Sequence, residues 1–86
     1  MKTIKTMIEE IKEYLKPEAT VINVIIQRQK SLRVEDTIGE MNLDASAAYQ
    51  IFGDYELIRA QVATYEVDKN KFPCINCFVY VPEVKE

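Results

Sequence analysis

Residues 20–28 read Thr-Val-Ile-Asn-Val-Ile-Ile-Gln-Arg, the strongest strand signal in this 86-residue chain. Val21, Ile22, Val24, Ile25 and Ile26 fall on both faces of an extended segment. A strand that is apolar on both faces belongs inside a sheet, covered at least partly on each side. The fold is therefore expected to be built around this segment.

Upstream, Ile4, Ile8, Ile11 and Leu15 recur at helical spacing, with Met7 and Tyr14 widening the stripe. That spacing predicts an amphipathic helix over residues 2–15, stopped by Pro17, which lacks an N–H and pushes Lys16 out of the α region. Downstream, Gln29-Lys30-Ser31 is expected to turn the chain into a second strand over residues 32–38, antiparallel to the first. Gly39 is read as a bend or bulge, with residues 41–43 continuing the strand. Asp44 has the chemistry of an N-cap for a short helix over residues 45–52, whose stripe is Ala45, Ala48, Tyr49 and Phe52. Gly53 stands where a left-handed residue would end that helix. A third strand over residues 57–67, a turn at residues 68–71 and a fourth strand over residues 74–81 complete the pattern, with fraying expected over 83–86.

The expected fold class is α+β. Residues 1–86 form one small domain, a two-layer sandwich in the order α-β-β-α-β-β, with a four-stranded, mainly antiparallel sheet and two helices on one face. Strand order is left open.

Composition narrows the chemistry. There is no His and no Trp, and 48% of residues are hydrophobic against 29% charged. That mixture is too apolar for a disordered tail. No apolar run reaches the ~18 residues needed to cross a bilayer, so no membrane association is expected. Glu9, Glu10, Lys12 and Glu13 interrupt any apolar leader core, and no targeting segment is expected. The formal net charge is −3, which disfavours direct nucleic-acid binding.

Catalytic motifs are missing. With only Gly39 and Gly53, no glycine-rich phosphate loop can form. Neither Ser31 nor Ser46 sits in a nucleophile elbow. Cys74-Ile75-Asn76-Cys77 runs directly into a strand, where positions three apart point to opposite faces. The pair is half a zinc site at most and is read as two small, reduced thiols, which fits a cytoplasmic setting. No catalytic residue, metal ligand or cofactor is expected.

Two surface features remain. Arg59, Gln61 and Tyr65 on the third strand, and Asn76, Phe78 and Tyr80 on the fourth, are expected on the open side of the sheet. Ile58, Ala60 and Val62, with Ile75, Cys77, Val79 and Val81, would then face the core. The second feature is charge. Residues 34–58 hold six acids (Glu35, Asp36, Glu40, Asp44, Asp54 and Glu56) and no Lys or Arg, whereas the other 61 residues carry eight acids and 11 bases. Asp44 is absorbed by capping, which leaves Glu35, Asp36, Glu40, Asp54 and Glu56 as candidate partner contacts.

These features lead to the expectation of a small non-catalytic binding protein or inhibitor acting by protein–protein contact. Its partner would be a larger protein, or a protein–nucleic-acid complex, with a basic surface. Accessory proteins of phages and mobile elements, including inhibitors of host defence, share this size and acidity, an analogy of type. The alternatives are a homodimer or larger homo-oligomer acting as a small-ligand sponge, and a nucleic-acid binder using the aromatic sheet face.

Overall fold

The computed structural model describes residues 1–82; the fraying expected over 83–86 lies outside the described residues. Helix α1 (Ile4–Ile11) leads through a 3-10 turn (Pro17–Ala19) into strand β1 (Val21–Gln27). A loop with a second 3-10 turn (Val34–Asp36) precedes β2 (Thr37–Asp44), which passes directly into α2 (Ala45–Phe52). Strands β3 (Glu56–Val67) and β4 (Asn70–Tyr80) close the chain. The expected α-β-β-α-β-β order is observed.

The sheet order is β2-β1-β4-β3. Each hairpin is antiparallel, and the hairpins join through a parallel pairing of β1 with β4, in register from Val21↔Cys74 to Gln27↔Tyr80. The strand that the sequence marks most strongly is thus an inner strand. Its Ile22 and Val24 are fully buried under the helices. Burying each such side chain is worth about 1.5–3 kcal/mol.

The helical layer covers one face. Ile4, Met7, Ile8 and Ile11 of α1 and Ala45, Ala48 and Phe52 of α2 pack with Ile22, Val24, Ile75, Cys77 and Val79 in one core. Thr3 caps α1 through its hydroxyl, and the Asp44 carboxylate accepts the Ala47 N–H at 2.7 Å, so the expected cap of α2 is in place. The start of α1 is tied to the segment after α2: Lys5 N–H donates to the Gly53 carbonyl at 3.0 Å, Ile4 N–H to that of Tyr55, and Leu57 N–H to that of Lys2.

Four local expectations are corrected. Helix α1 ends at Ile11 rather than residue 15, because the Glu13 and Tyr14 N–H groups fold onto the Glu10 and Ile11 carbonyls in tighter turns. Leu15 still packs on the core, but Tyr14 is exposed. Gly53 is right-handed (φ −52°), not left-handed. Glycine is needed there for space, since a Cβ would overlap the Tyr49 carbonyl oxygen. In β3 a bulge between Leu57 and Arg59 puts Leu57, not Ile58, in the core, and Ala60 and Val62, also expected there, are exposed. The turn of the second hairpin is only Asp68-Lys69, both at positive φ (51° and 69°) as a tight hairpin requires, so Asn70 and Lys71 belong to β4.

The largest correction concerns residues 32–36. Their alternation predicts a strand, yet they form the loop before β2. Gln27, fully buried at the end of β1, is the cause. Its Oε1 accepts the Leu32 N–H at 3.0 Å, and its Nε2 donates to the Arg33 carbonyl at 2.8 Å. These bonds hold Leu32 at φ 63°, a costly angle for a branched residue. A buried amide that completes its bonds in this way stabilises the loop, and an orphaned partner costs about 1–3 kcal/mol.

Replacing Gln27 by Leu should therefore lower stability by about 1–3 kcal/mol in denaturant titration and expose the Leu32 amide to exchange. Unchanged Leu32 protection would contradict this role. Gly53→Ala should also lower the melting temperature, because the Tyr49 carbonyl must move and drag the Lys5 contact with it; a variant as stable as the parent would show that the site relaxes freely.

Candidate functional site

The face of the sheet away from the helices carries no helix among the described residues. Strand register lays its side chains out in rows across β2, β1, β4 and β3. One row is Thr37, Gln27, Tyr80 and Glu56; the next is Glu40, Ile25, Phe78 and Arg59. Below them come Asn42, Asn23, Asn76 and Gln61, then Asp44, Val21, Cys74 and Ala63. Strands β1 and β2 end there. The β3–β4 hairpin runs on as an arm, presenting Tyr65 beside Phe72.

All six residues expected on the open sheet side lie on this face. They do not make one aromatic platform. Tyr80 is half-buried beneath the β1–β2 loop, with the Lys30 ammonium 4.9 Å from its ring centroid. Phe78 and Phe72 are six residues apart along β4, roughly 20 Å. Between them runs a polar row, in which the Asn23 amide donates to both Glu40 (3.2 Å) and Asn76 (3.1 Å). Ile25 and Phe78 stand half-buried on one side of that row and Val21 on the other, with Arg59 and Gln61 exposed along β3.

The acids are dispersed, and folding answers most of them with bases from outside their segment. Arg33 binds Asp36 at 3.0 Å and lies 3.9 Å from Glu35. The Ser31 hydroxyl, followed by Arg33, holds the Asp36 carboxyl below its usual range. Lys5 approaches Asp54 at 3.4 Å, and Lys30 binds Glu56 at 2.8 Å, which raises the Lys30 pKa. Among the described residues, Glu40 and Asp44 have no ion-pair partner. Both stand on β2 at the open face. The charge polarity along the chain thus contracts in space to the β2 side of the sheet.

Cys74 and Cys77 are both buried, on opposite faces of β4 as strand geometry requires. Burial pushes the Cys77 thiol up to about 12 and raises that of Cys74 as well. Neither is a ready thiolate at neutral pH.

Beyond the sequence expectations, two open grooves flank the 3-10 turn before β1. One, about 680 Å³, lies between α1 and α2 and includes Ile8, Lys12 and Tyr49. The other, about 540 Å³, lies in the angle between that turn, the β1–β2 end and the hairpin arm. Phe72, Asn42 and Glu18 reach the second groove; no spacing in the sequence signals this, because the angle exists only once β3 and β4 outrun β1. No helix is long and apolar enough to cross a membrane among the described residues. Comparison with protein families, curated proteins and solved structures finds no match.

The thiols give a direct check. Between pH 7 and 9 the native protein should be alkylated at least tenfold more slowly than the unfolded chain, whose thiols ionise near pH 8.5. Equal rates would show that the cysteines are open to chemistry.

Proposed function

We propose that this protein is a non-catalytic binding protein that acts by protein–protein contact through the open face of its sheet. The observation that carries the reading is the composition of that face. Ile25, Phe78 and Val21 supply apolar contact, Asn23 and Asn76 supply a fixed polar row, and Arg59, Gln61 and Glu40 form an exposed rim. Apolar centre and polar rim together match the anatomy of protein interfaces. A sheet face left for water alone alternates more strictly to polar residues.

The acidic surface in this reading is smaller than the run of acids along the chain. Glu35, Asp36, Asp54 and Glu56 each have a basic neighbour and contribute little net field. Glu40 and Asp44 give the face its negative side, which suits a protein, or a protein–nucleic-acid complex, with a basic surface. The inhibitor role is the form of this reading in which the covered basic surface is a nucleic-acid-binding groove, as for the accessory proteins of phages and mobile elements. Direct nucleic-acid binding by an aromatic platform fits less well, because Tyr80 lies under Lys30 and a polar row separates Phe78 from Tyr65.

The test is comparative affinity capture, with mass spectrometry, from the cells in which the protein occurs. A partner retained by the parent and by Glu13→Lys, an exposed change near the end of α1, should be lost with Arg59→Glu or Glu40→Lys, with at least tenfold less recovered. Recovery of the same partner by all four proteins would contradict a role for the open face.

A further inference from the structure

The groove in the angle of the hairpin arm has an unusual wall. Tyr65 and Phe72 stand side by side at its arm end, both partly exposed. Among the described residues, Glu18, on the 3-10 turn, and Asp44, at the end of β2, are its only charged lining residues, so these residues give it two carboxylates and no base. Elsewhere folding brings Lys2 to Glu10, Lys5 to Asp54, Lys30 to Glu56 and Arg33 to Asp36. Glu18 and Asp44, like Glu9, Glu13, Glu40, Glu66 and Asp68, have no such partner among the described residues, and these two alone share a groove with two aromatic rings. One Asp44 oxygen is occupied by the Ala47 N–H. Asn42 adds an amide to the same wall. Glu18 and Asp44 also border the larger groove, but there Lys12 shares the lining and the one aromatic, Tyr49, donates its hydroxyl to Glu9.

We propose that this angle receives one arginine side chain of the basic partner. A guanidinium is flat, stacks on aromatic rings and forks onto carboxylates, so one group satisfies both kinds of wall. An ammonium would meet the charge but not the stacking, and a phosphate would meet two negative charges. The proposal rests on the protein-binding reading above and names the chemistry of the contact. It extends that surface, which already holds Asp44 and Tyr65, onto Glu18 and Phe72, neither of which carries a signal in the sequence.

The probe is a hexa-arginine peptide, titrated into the full chain at low salt and followed by amide chemical shifts. Shifts should centre on residues 18–21, 42–44, 65 and 72. Glu18→Gln with Asp44→Asn should weaken binding at least tenfold; Asn still caps a helix, so α2 is kept. Tyr65→Ala with Phe72→Ala should have a similar effect, and hexa-lysine should bind at least threefold more weakly than hexa-arginine. Shifts centred elsewhere, equal affinity for the two peptides, or insensitivity to these variants would overturn the proposal. So would a dimer of the full chain abolished by Phe72→Ala, which would assign the angle to a second copy. An oligonucleotide that moves the same resonances more strongly than hexa-arginine would likewise assign it to bases. Partner capture that depends on Arg59 while hexa-arginine fails to bind would sink this site and leave the sheet-face reading standing. Hexa-arginine binding here with capture indifferent to Arg59 and Glu40 would do the reverse.

Discussion

The parallel pairing of β1 with β4 is the contact on which the rest depends. Without it the chain is two antiparallel hairpins, each with one helix and too little core to stand alone. With it, Ile22 and Val24 meet Ile75, Cys77 and Val79 beneath α1 and α2 in one apolar layer. Parallel neighbours need a long crossover, and here the whole β2–α2–β3 segment supplies it. The same pairing sets the two surface features. It makes the uncovered face four strands wide, and because β1 begins only opposite Cys74, it leaves the far part of the β3–β4 hairpin as an arm. Pro73 fits this register: it sits in β4 one residue beyond the last partner in β1, where a missing N–H breaks no ladder on that side.

Much of the fold was legible because periodicity reports burial directly. The α1 stripe, the inner position of β1, the Asp44 cap and the alternation of Ile75, Cys77 and Val79 are local signals whose tertiary context agrees with them, although no helix among the described residues gives the second apolar face of β1 the cover its pattern predicts. The failures share a different cause. At residues 32–36 the local alternation lost to a side chain outside the window, the buried Gln27 amide, which takes the backbone groups a strand would have used. Leu57 replaced Ile58 in the core because a bulge shifts the face by one residue, and a bulge leaves no mark in a hydrophobic pattern. Gly53 does end α2, but through close approach to Tyr49 rather than through a left-handed turn.

The candidate site was half legible. Alternation alone put Arg59, Gln61, Tyr65, Asn76, Phe78 and Tyr80 on one face. Charge counting along the chain did not survive folding, since electrostatic neighbours are set by space. Lys5, Lys30 and Arg33 lie outside the acidic segment in sequence and against it in the structure. Within the acidic segment, folding leaves Glu40 and Asp44 on β2 without an ion pair, and Glu18 lines the same groove as Asp44. Glu18 could not be read from the sequence, because only the arm's overhang brings it near Tyr65 and Phe72.

The pairing at the sheet centre can be observed directly by inter-strand nuclear Overhauser effects on uniformly labelled protein. The structure predicts parallel-type contacts linking residues 21–27 to 74–80 in one register, with Ile22 beside Ile75 and Val24 beside Cys77. Contacts of antiparallel type between these segments, or contacts from β1 to β3 in place of β4, would contradict it, and with it both the open face and the angle beneath the arm.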